Sequence, residues 1–470
     1  MAEEAGPGQL TARAVDAFDI VVIGAGAAGE AAADHAALRG ASVALVEKDL
    51  IGGSCAYWAC MPSKALLHAA EVRAAGGEYP WGKASDFRDW MINRVKLPYP
   101  DDSSHQRAHE QAGVTVIRGT AKLAGKGRVE VTGDAKTRAL TARTAVVLAT
   151  GSRAKVPPIP GLEEAGYWTN VEVTALRELP RSAAVLGAGP SGVEFAQYLH
   201  RFGVRTTIVQ SNRRLNPTDH PRSSELLAEA FRGEGIDVRT GARAARVRPA
   251  AGPDGEHVID LADGSSATGH VIALGIGRTP NVSGIGLETV GVTVTEGEYL
   301  KPDDRLQVAD GVYAVGDLIG REISTHLGHY EGELAVRLAL GDDVSPDLRA
   351  VPRCVYTDPE LGAVGLTAHQ AGEQGIDALE LTQDLATTAK GYVAEAKGHV
   401  TITVDRKART LIGAFMAGPG ATEAIHEAVL AVKLGLPLAV LEDTIHAFPT
   451  TSRVFGGLVT KASRDLTLGK

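Results

Sequence analysis

The chain has 470 residues, 44% hydrophobic and 22% charged, a globular composition too long for one core at ~150 residues per domain. Its formal net charge, 48 basic against 57 acidic residues or −9, argues against a nucleic-acid surface, and no apolar run approaches the ~18 residues of a membrane helix. Residues 1–18 lack the basic start and apolar centre of a secretory signal, so they read as a disordered tail on a cytoplasmic protein.

In chain order, Asp19-Ile20-Val21-Val22-Ile23 is a short β-branched apolar run that suits a buried parallel strand. It leads straight into Gly24-Ala25-Gly26-Ala27-Ala28-Gly29, an alanine-rich helix to Arg39, and a second strand from Ser42 to Val46 that ends in Glu47. Strand, glycine turn, helix, strand and acid make a dinucleotide fingerprint. The glycines let backbone approach a pyrophosphate, the helix N-terminus stabilises its charge, and the acid takes ribose hydroxyls.

Two of the three cysteines, Cys55 and Cys60, follow in Gly52-Gly53-Ser54-Cys55-Ala56-Tyr57-Trp58-Ala59-Cys60-Met61-Pro62-Ser63-Lys64. Continuous helix would separate them by roughly 7.5 Å along its axis, beyond the ~7 Å Cα limit for a disulfide, so a bridge requires distorted backbone here. Pro62 suits the first turn of a helix from Pro62 to Ala75 and places Cys60 just before its N-terminus, where the helix dipole favours a thiolate. Taken alone, this stretch fits two unrelated reduced thiols at least as well.

Ala145-Val146-Val147-Leu148 is another apolar strand, ending in Ala149-Thr150-Gly151-Ser152. The fingerprint then repeats: Ala183 to Leu186, Gly187-Ala188-Gly189-Pro190-Ser191-Gly192, a helix to about Phe202, and a strand Thr206 to Val209. This second strand ends in Gln210, followed by Ser211-Asn212-Arg213-Arg214. With no carboxylate for both ribose hydroxyls and two guanidiniums able to grip a 2′-phosphate, NADPH is favoured over NADH. Gly311-Val312-Tyr313-Ala314-Val315-Gly316-Asp317 returns to the first nucleotide domain, which the second therefore interrupts. After Val351, β-like runs such as Val400 to Val404 and a helix from Thr422 to Leu434 carry no nucleotide signature and form a third domain.

Together these motifs resemble the pyridine nucleotide-disulfide oxidoreductase family, which includes lipoamide dehydrogenase, glutathione reductase and mercuric reductase, over roughly Asp19 to Leu468. The resemblance implies an α/β architecture with two Rossmann-like dinucleotide-binding domains and a C-terminal α+β dimerisation domain. FAD would occupy 19–166 and 279–350, NAD(P)H 167–278, and the homodimer interface 351–470. It also implies roles. Gly24, Gly26, Gly29 and Glu47 would hold the adenosine half of FAD, with Lys48, Gly53, Ser54, Thr150 and Gly151 nearby, and Asp317 would bond its ribitol. Gly187, Gly189, Gly192, Gln210, Arg213, Arg214 and Gly277 would hold the nicotinamide nucleotide. Cys60 would be the flavin-side thiol and Cys55 the outward thiol of a redox pair, Lys64 the flavin-side lysine and Glu194 its carboxylate partner. No metal is implied.

Two departures redirect the expected chemistry. The family's C-terminal histidine and glutamate are replaced by Phe448 and Arg453 in His446-Ala447-Phe448-Pro449-Thr450-Thr451-Ser452-Arg453. Phenylalanine moves no proton, and a general base is typically worth about 10²- to 10⁴-fold, so efficient reduction of a large disulfide is in doubt. His446, His326, His329 and Tyr330 are substitute proton sources, each read more readily as structural. Ala56-Tyr57-Trp58-Ala59 puts two large aromatics between the cysteines, and these are expected to reshape the substrate pocket. The chain ends without the cysteine pair of mercuric reductases, and Cys354 reads as a buried structural thiol. The resulting expectation is electron flow from NADPH through flavin to Cys55–Cys60 and a small thiol-reactive, disulfide or quinone-like acceptor. Reductive C–S cleavage with carboxylation, as in ketopropyl-coenzyme M carboxylase, whose histidine position is also phenylalanine, and a flavin-bound redox sensor are the alternatives.

Overall fold

The computed structural model describes residues 16–95, 98–133, 136–252 and 254–469. Two compact units divide the chain, one within Met1–Tyr57, Lys96–Arg153 and Arg278–Pro346, the other within Trp58–Val95, Ala154–Gly277 and Asp347–Lys470. Of the expected disordered tail, residues 1–15 lie outside the described residues, and Asp16 to Phe18 already belong to the first strand, Asp16–Ile23.

The first unit is built on an eight-stranded mixed sheet whose central strands are parallel. Its central strand Asp16–Ile23 lies between Thr137–Leu148 and Val43–Glu47, with Val312–Ala314 and Thr115–Arg118 outside them. Ile20, Val21 and Val22 are fully buried, as a strand covered on both faces requires. Helices Ala27–Leu38 and Thr325–Ala339 cover one face, packed closely enough that a Cβ on Gly332 would stand 2.2 Å from the Ala28 carbonyl oxygen.

In the second unit, the parallel strands Ser182–Leu186, Arg205–Gln210, Asp237–Thr240 and Val271–Leu274 form the second nucleotide fold. The last segment adds a five-stranded antiparallel sheet backed by helices Ala421–Leu434 and Thr451–Thr467. Residues 58–95, expected with the first nucleotide domain, group here instead. Leu66, Ala69, Ala70 and Ala84 share one core with Val193, Phe195 and Tyr198.

Arg88, fully buried, strengthens that attachment. Its guanidinium donates to the carbonyls of Thr174 and, at 2.8 Å, Leu176, and to Asp89 at 2.7 Å. Asp89 also accepts from Arg94 and Arg177. Burial, the largest influence, lowers the Arg88 pKa, while Asp89 opposes it. Arg88→Ala leaves Asp89 and two carbonyls short of a buried donor and is expected to cost about 3–5 kcal/mol. Urea denaturation of the holoenzyme measures this, and a loss below ~1 kcal/mol would place the attachment in the apolar core alone.

In the first unit, Glu331 is 1% exposed and accepts from the Gly316 N–H at 2.8 Å, fixing the turn before Asp317. Its Oε1 has no hydrogen-bond partner among the described residues, and burial pushes its pKa up to about 7. A raised acid contributes stability that is complete below its unfolded value and is lost as pH rises through the folded one. Glu331→Gln is therefore expected to raise Tm clearly at pH 8, by up to about 3 kcal/mol of stability, and much less at pH 5. Equal shifts at both pH values in thermal denaturation would rule out the carboxylate charge as the cause.

Candidate functional site

Each glycine turn shows one division of labour. Gly24 has φ +100°, and a Cβ on it would lie 2.4 Å from the Ala149 carbonyl oxygen. A Cβ on Gly29 would lie 1.8 Å from the Gly24 carbonyl oxygen, whereas Gly26 faces open space. The first glycine therefore permits the turn, the third lets the helix sit against the strand, and the second leaves backbone accessible at the N-terminus of Ala27–Leu38. Glu47 accepts from Ala25 N–H at 2.7 Å and from Asp49 N–H at 2.7 Å, while burial raises its carboxyl pKa. Lys48 and Ser54 are exposed beside this turn, and a Cβ on Gly53 would reach Gly26 Cα at 2.8 Å. Thr150 and Asn281 exchange hydrogen bonds at 2.9 Å, and Gly151 has φ +65°. Asp317 accepts from Ser152 Oγ and lies 3.3 Å from Arg278 Nε. These residues fit a flavin dinucleotide: an open backbone cradle, an acid at the strand end and a polar carboxylate at the returning strand.

Gly187 (φ +92°), Gly189 and Gly192 repeat the pattern, since a Cβ on Gly192 would stand 2.2 Å from the Gly187 carbonyl oxygen and one on Gly189 meets nothing closer than 3.9 Å. Gln210 is buried at its strand end, Arg213 is exposed, Arg214 is half-buried, and neither arginine forms an ion pair among the described residues. Gly277, at φ +107°, has open space on its Cβ side. The cradle fits a nicotinamide dinucleotide, and Arg213 and Arg214 follow Gln210 just beyond the strand end.

The cysteines sit on separate helices. Cys55 lies on Gly53–Tyr57, Cys60 is the first residue of Cys60–Ala74, and Ala59 between them has φ −139° and ψ −93°. The helix thus starts two residues before Pro62, and Cys60 belongs to it. Both aromatics are largely buried: Tyr57 is 3% exposed in the first unit and Trp58 9% in the second. Trp58 also offers its carbonyl to Asn170 Nδ2 at 2.7 Å.

One helical turn after Cys60, Lys64 Nζ meets Glu194 Oε2 at 2.8 Å, and Glu194 is almost wholly buried. Burial opposes the Lys64 charge, but attraction and hydrogen bonding from Glu194 outweigh it and hold the ammonium pKa above its usual value, with Cys60 a further contributor. Tyr356, which sequence reading missed, donates its N–H to Glu194 at 3.2 Å and places its ring 4.8 Å from Lys64 Nζ. Nothing near Lys64 in sequence signals this residue. Cys354 is half-buried, its thiol pushed up to about 11 by burial and then by Asp219, so it is no nucleophile near neutrality.

At the C-terminal end, Phe448 is 74% exposed and Arg453 is exposed in the first turn of Thr451–Thr467. His446 is held by Glu427, with Nε2 to Oε1 at 2.5 Å and a side chain only 5% exposed, and its ring fills the space where Gly456 has no Cβ. His326 and His329 are exposed and Tyr330 is half-buried on Thr325–Ala339, in the first unit. Among the described residues, no helix is long and apolar enough to cross a membrane and no group of three His, Cys, Asp or Glu is placed to hold a metal.

Two family models match the chain: pyridine nucleotide-disulphide oxidoreductase over residues 18–332 and the dimerisation domain of that family over 351–458. The dihydrolipoyl dehydrogenase of Chlorobaculum tepidum is 32% identical over 456 residues, covering 93% of this chain and 95% of that one. A Staphylococcus aureus mercuric reductase is 29% identical, covering 92% and 80%. The HOCl-induced flavoprotein disulfide reductase RclA of Escherichia coli, solved as a Cu(II) complex, superposes with TM-score 0.83 at 25% identity over 95% of this chain and 100% of that one. The chain therefore belongs to the pyridine nucleotide-disulphide oxidoreductase family, flavoprotein enzymes whose members use FAD and NAD(P)H.

Proposed function

We propose that this enzyme passes electrons from NADPH to a Cys55–Cys60 redox pair and on to a small thiol-reactive or quinone-like acceptor, without a protein acid–base group at the exit. FAD, when bound, supplies the two-electron relay between nicotinamide and sulfur. The glycine turns Gly24-Gly26-Gly29 and Gly187-Gly189-Gly192 bind the two pyrophosphates through backbone N–H groups. Lys64, kept cationic by Glu194, favours negative charge in its vicinity. Cys60, at a helix N-terminus and one turn from that ammonium, is the thiol best placed to carry charge as thiolate, the form that donates and leaves.

The observation that carries the reading is Phe448: it is exposed, non-titratable and on the loop where the family places its histidine. His446 does not replace it, because Glu427 holds its ring inward. An acceptor that needs no proton delivered by the protein fits this exit, and a relative named as a mercuric reductase and a structural neighbour solved as a Cu(II) complex are consistent with a small thiol-reactive acceptor. A homodimer is supported by the dimerisation domain and by the exposed Leu430, Leu434, Val440, Ile445 and Phe448. Phe448 also favours a second reading, C–S cleavage with carboxylation, where absence of a proton source protects a carbanion. A redox sensor without turnover is a third.

NADPH oxidation measured with lipoamide, glutathione disulfide, a quinone and no acceptor separates these readings. Quinone turnover well above disulfide turnover is expected; rapid disulfide turnover contradicts the reading, and no turnover favours the sensor. Phe448→His with Arg453→Glu is expected to raise disulfide reduction by about 10- to 100-fold, within the range of a restored base. Cys60→Ser is expected to retain FAD but lose the long-wavelength thiol-to-flavin band on reduction, and a retained band would refute its assignment. Arg213→Ala with Arg214→Ala is expected to lower kcat/KM for NADPH by about 10- to 100-fold while sparing NADH.

A further inference from the structure

Cys55 rides on a five-residue helix, Gly53–Tyr57, too short to hold its own geometry in water. Its one buried residue is Tyr57, so the orientation of the turn depends on what Tyr57 packs against. One ring beside it is that of His105, whose centroid lies 6.0 Å away at an interplanar angle of 57°. Gly52 closes the third side: it has φ +106°, and a Cβ there would meet Tyr57 Cε2 at 3.1 Å and His105 Cε1 at 3.2 Å.

His105 is itself anchored. Its Nδ1 lies 2.9 Å from Glu30 Oε1, and Glu30 stands in the first turn of the nucleotide-binding helix Ala27–Leu38. The same oxygen receives His109 Nε2 at 2.9 Å, while His109 Nδ1 bonds Asp34 at 2.7 Å. Burial opposes charge at both Glu30 and His109. Hydrogen bonds to Asp34 and then Glu30 nevertheless push His109 up to about 9, and those from His105 and then His109 hold Glu30 at about 2, so both are charged near neutrality. Asp102, at the head of the helix Ser103–Gln111, adds a second tie by accepting from Ile51 N–H at 2.7 Å. This helix has no nucleotide or cysteine motif, and nothing in its sequence assigns it to the reaction.

We propose that His105 is a positioning residue for the Cys55–Cys60 pair: held by Glu30, its ring braces Tyr57 and so fixes the turn that presents Cys55. The inference rests on the redox pair proposed above. A fixed turn keeps the two sulfurs at a high effective concentration, which favours the disulfide over the dithiol.

Equilibrating the FAD-loaded enzyme with reduced and oxidised dithiothreitol tests it. The bridge takes two electrons and two protons from dithiothreitol, its S–S bond breaks to two thiols, and the reagent closes to its cyclic disulfide. His105→Ala and Tyr57→Ala are expected to shift the equilibrium toward the dithiol by about two- to tenfold, the worth of an aromatic contact, with FAD content unchanged. Tyr57→Phe keeps the ring and is expected to match wild type, and Glu30→Gln, which keeps the bulk of the anchor, is expected to shift the equilibrium in the same direction as His105→Ala. If His105→Ala and Glu30→Gln both match wild type, or Tyr57→Phe shifts as far as Tyr57→Ala, the proposal is overturned. Should wild type itself form no bridge at any dithiothreitol ratio, the redox pair is what fails, an outcome separable from the bracing.

Discussion

Two thiols five residues apart cannot meet across regular helix, and the backbone between Cys55 and Cys60 is organised around that constraint. Helix stops at Tyr57, Ala59 adopts non-helical angles, and helix resumes at Cys60. Each side of the break has its own anchor. Tyr57 is buried against His105 in the first unit, and the Trp58 carbonyl is bonded by Asn170 in the second. The two aromatics that stand out in the sequence as an altered pocket are the residues that fix the ends of an interruption. Large buried rings suit that task because each gains its position from apolar burial and needs no hydrogen bond from the strained turn itself.

The same economy appears in the charged groups. Lys64 keeps its charge beside Cys60 because Glu194 is held in turn by the Tyr356 N–H. Glu194 follows the second glycine turn, so the helix whose N-terminus suits a pyrophosphate also supplies the carboxylate that sets the lysine. One helix therefore presents its N-terminus at the second glycine turn and Glu194 to Lys64. Asp317 is arranged comparably: Glu331 fixes the turn that bears it, and Ser152 and Arg278 hold its carboxylate.

Both glycine turns were legible in the sequence because their physics is local: strand, turn and helix follow one another without interruption, from Asp16 to Leu38 and from Ser182 to Arg201, and each glycine answers a steric demand of its immediate neighbours. Strand Asp16–Ile23 begins three residues earlier than its apolar run, since Asp16 and Ala17 pair with Leu140 and Thr141 rather than enter the core. What the sequence concealed is long-range. The attachment of residues 58–95 to the second nucleotide fold depends on Arg88 reaching carbonyls at Thr174 and Leu176, some 86 to 88 positions away. Tyr356 reaches Glu194 from 162 positions away, and Glu427 holds the His446 ring. No periodicity or motif encodes such pairings, because their partners are chosen by the packed core.

Phe448 and Arg453 stand on a C-terminal element whose stability comes from other residues. A helix N-terminus usually gains from an acid at its third position, which can bond back to the capping residue, and a cation there opposes the dipole. Arg453 occupies that position in Thr451–Thr467, yet the Thr450 hydroxyl still accepts the Arg453 N–H at 3.1 Å and caps the helix. Phe455, Leu458, Val459 and Ala462 bury its opposite face completely or nearly so. Helix stability therefore comes from the cap and the core, neither of which uses the side chain at 453 or the ring at 448. His446, tied to Glu427 and packed on Gly456, holds the preceding loop in the same way. The residues that would govern proton delivery are thus mechanically uncoupled from those that hold the loop, and a scaffold so divided can exchange one acceptor chemistry for another while its nucleotide cradles and its thiol electrostatics stay in place.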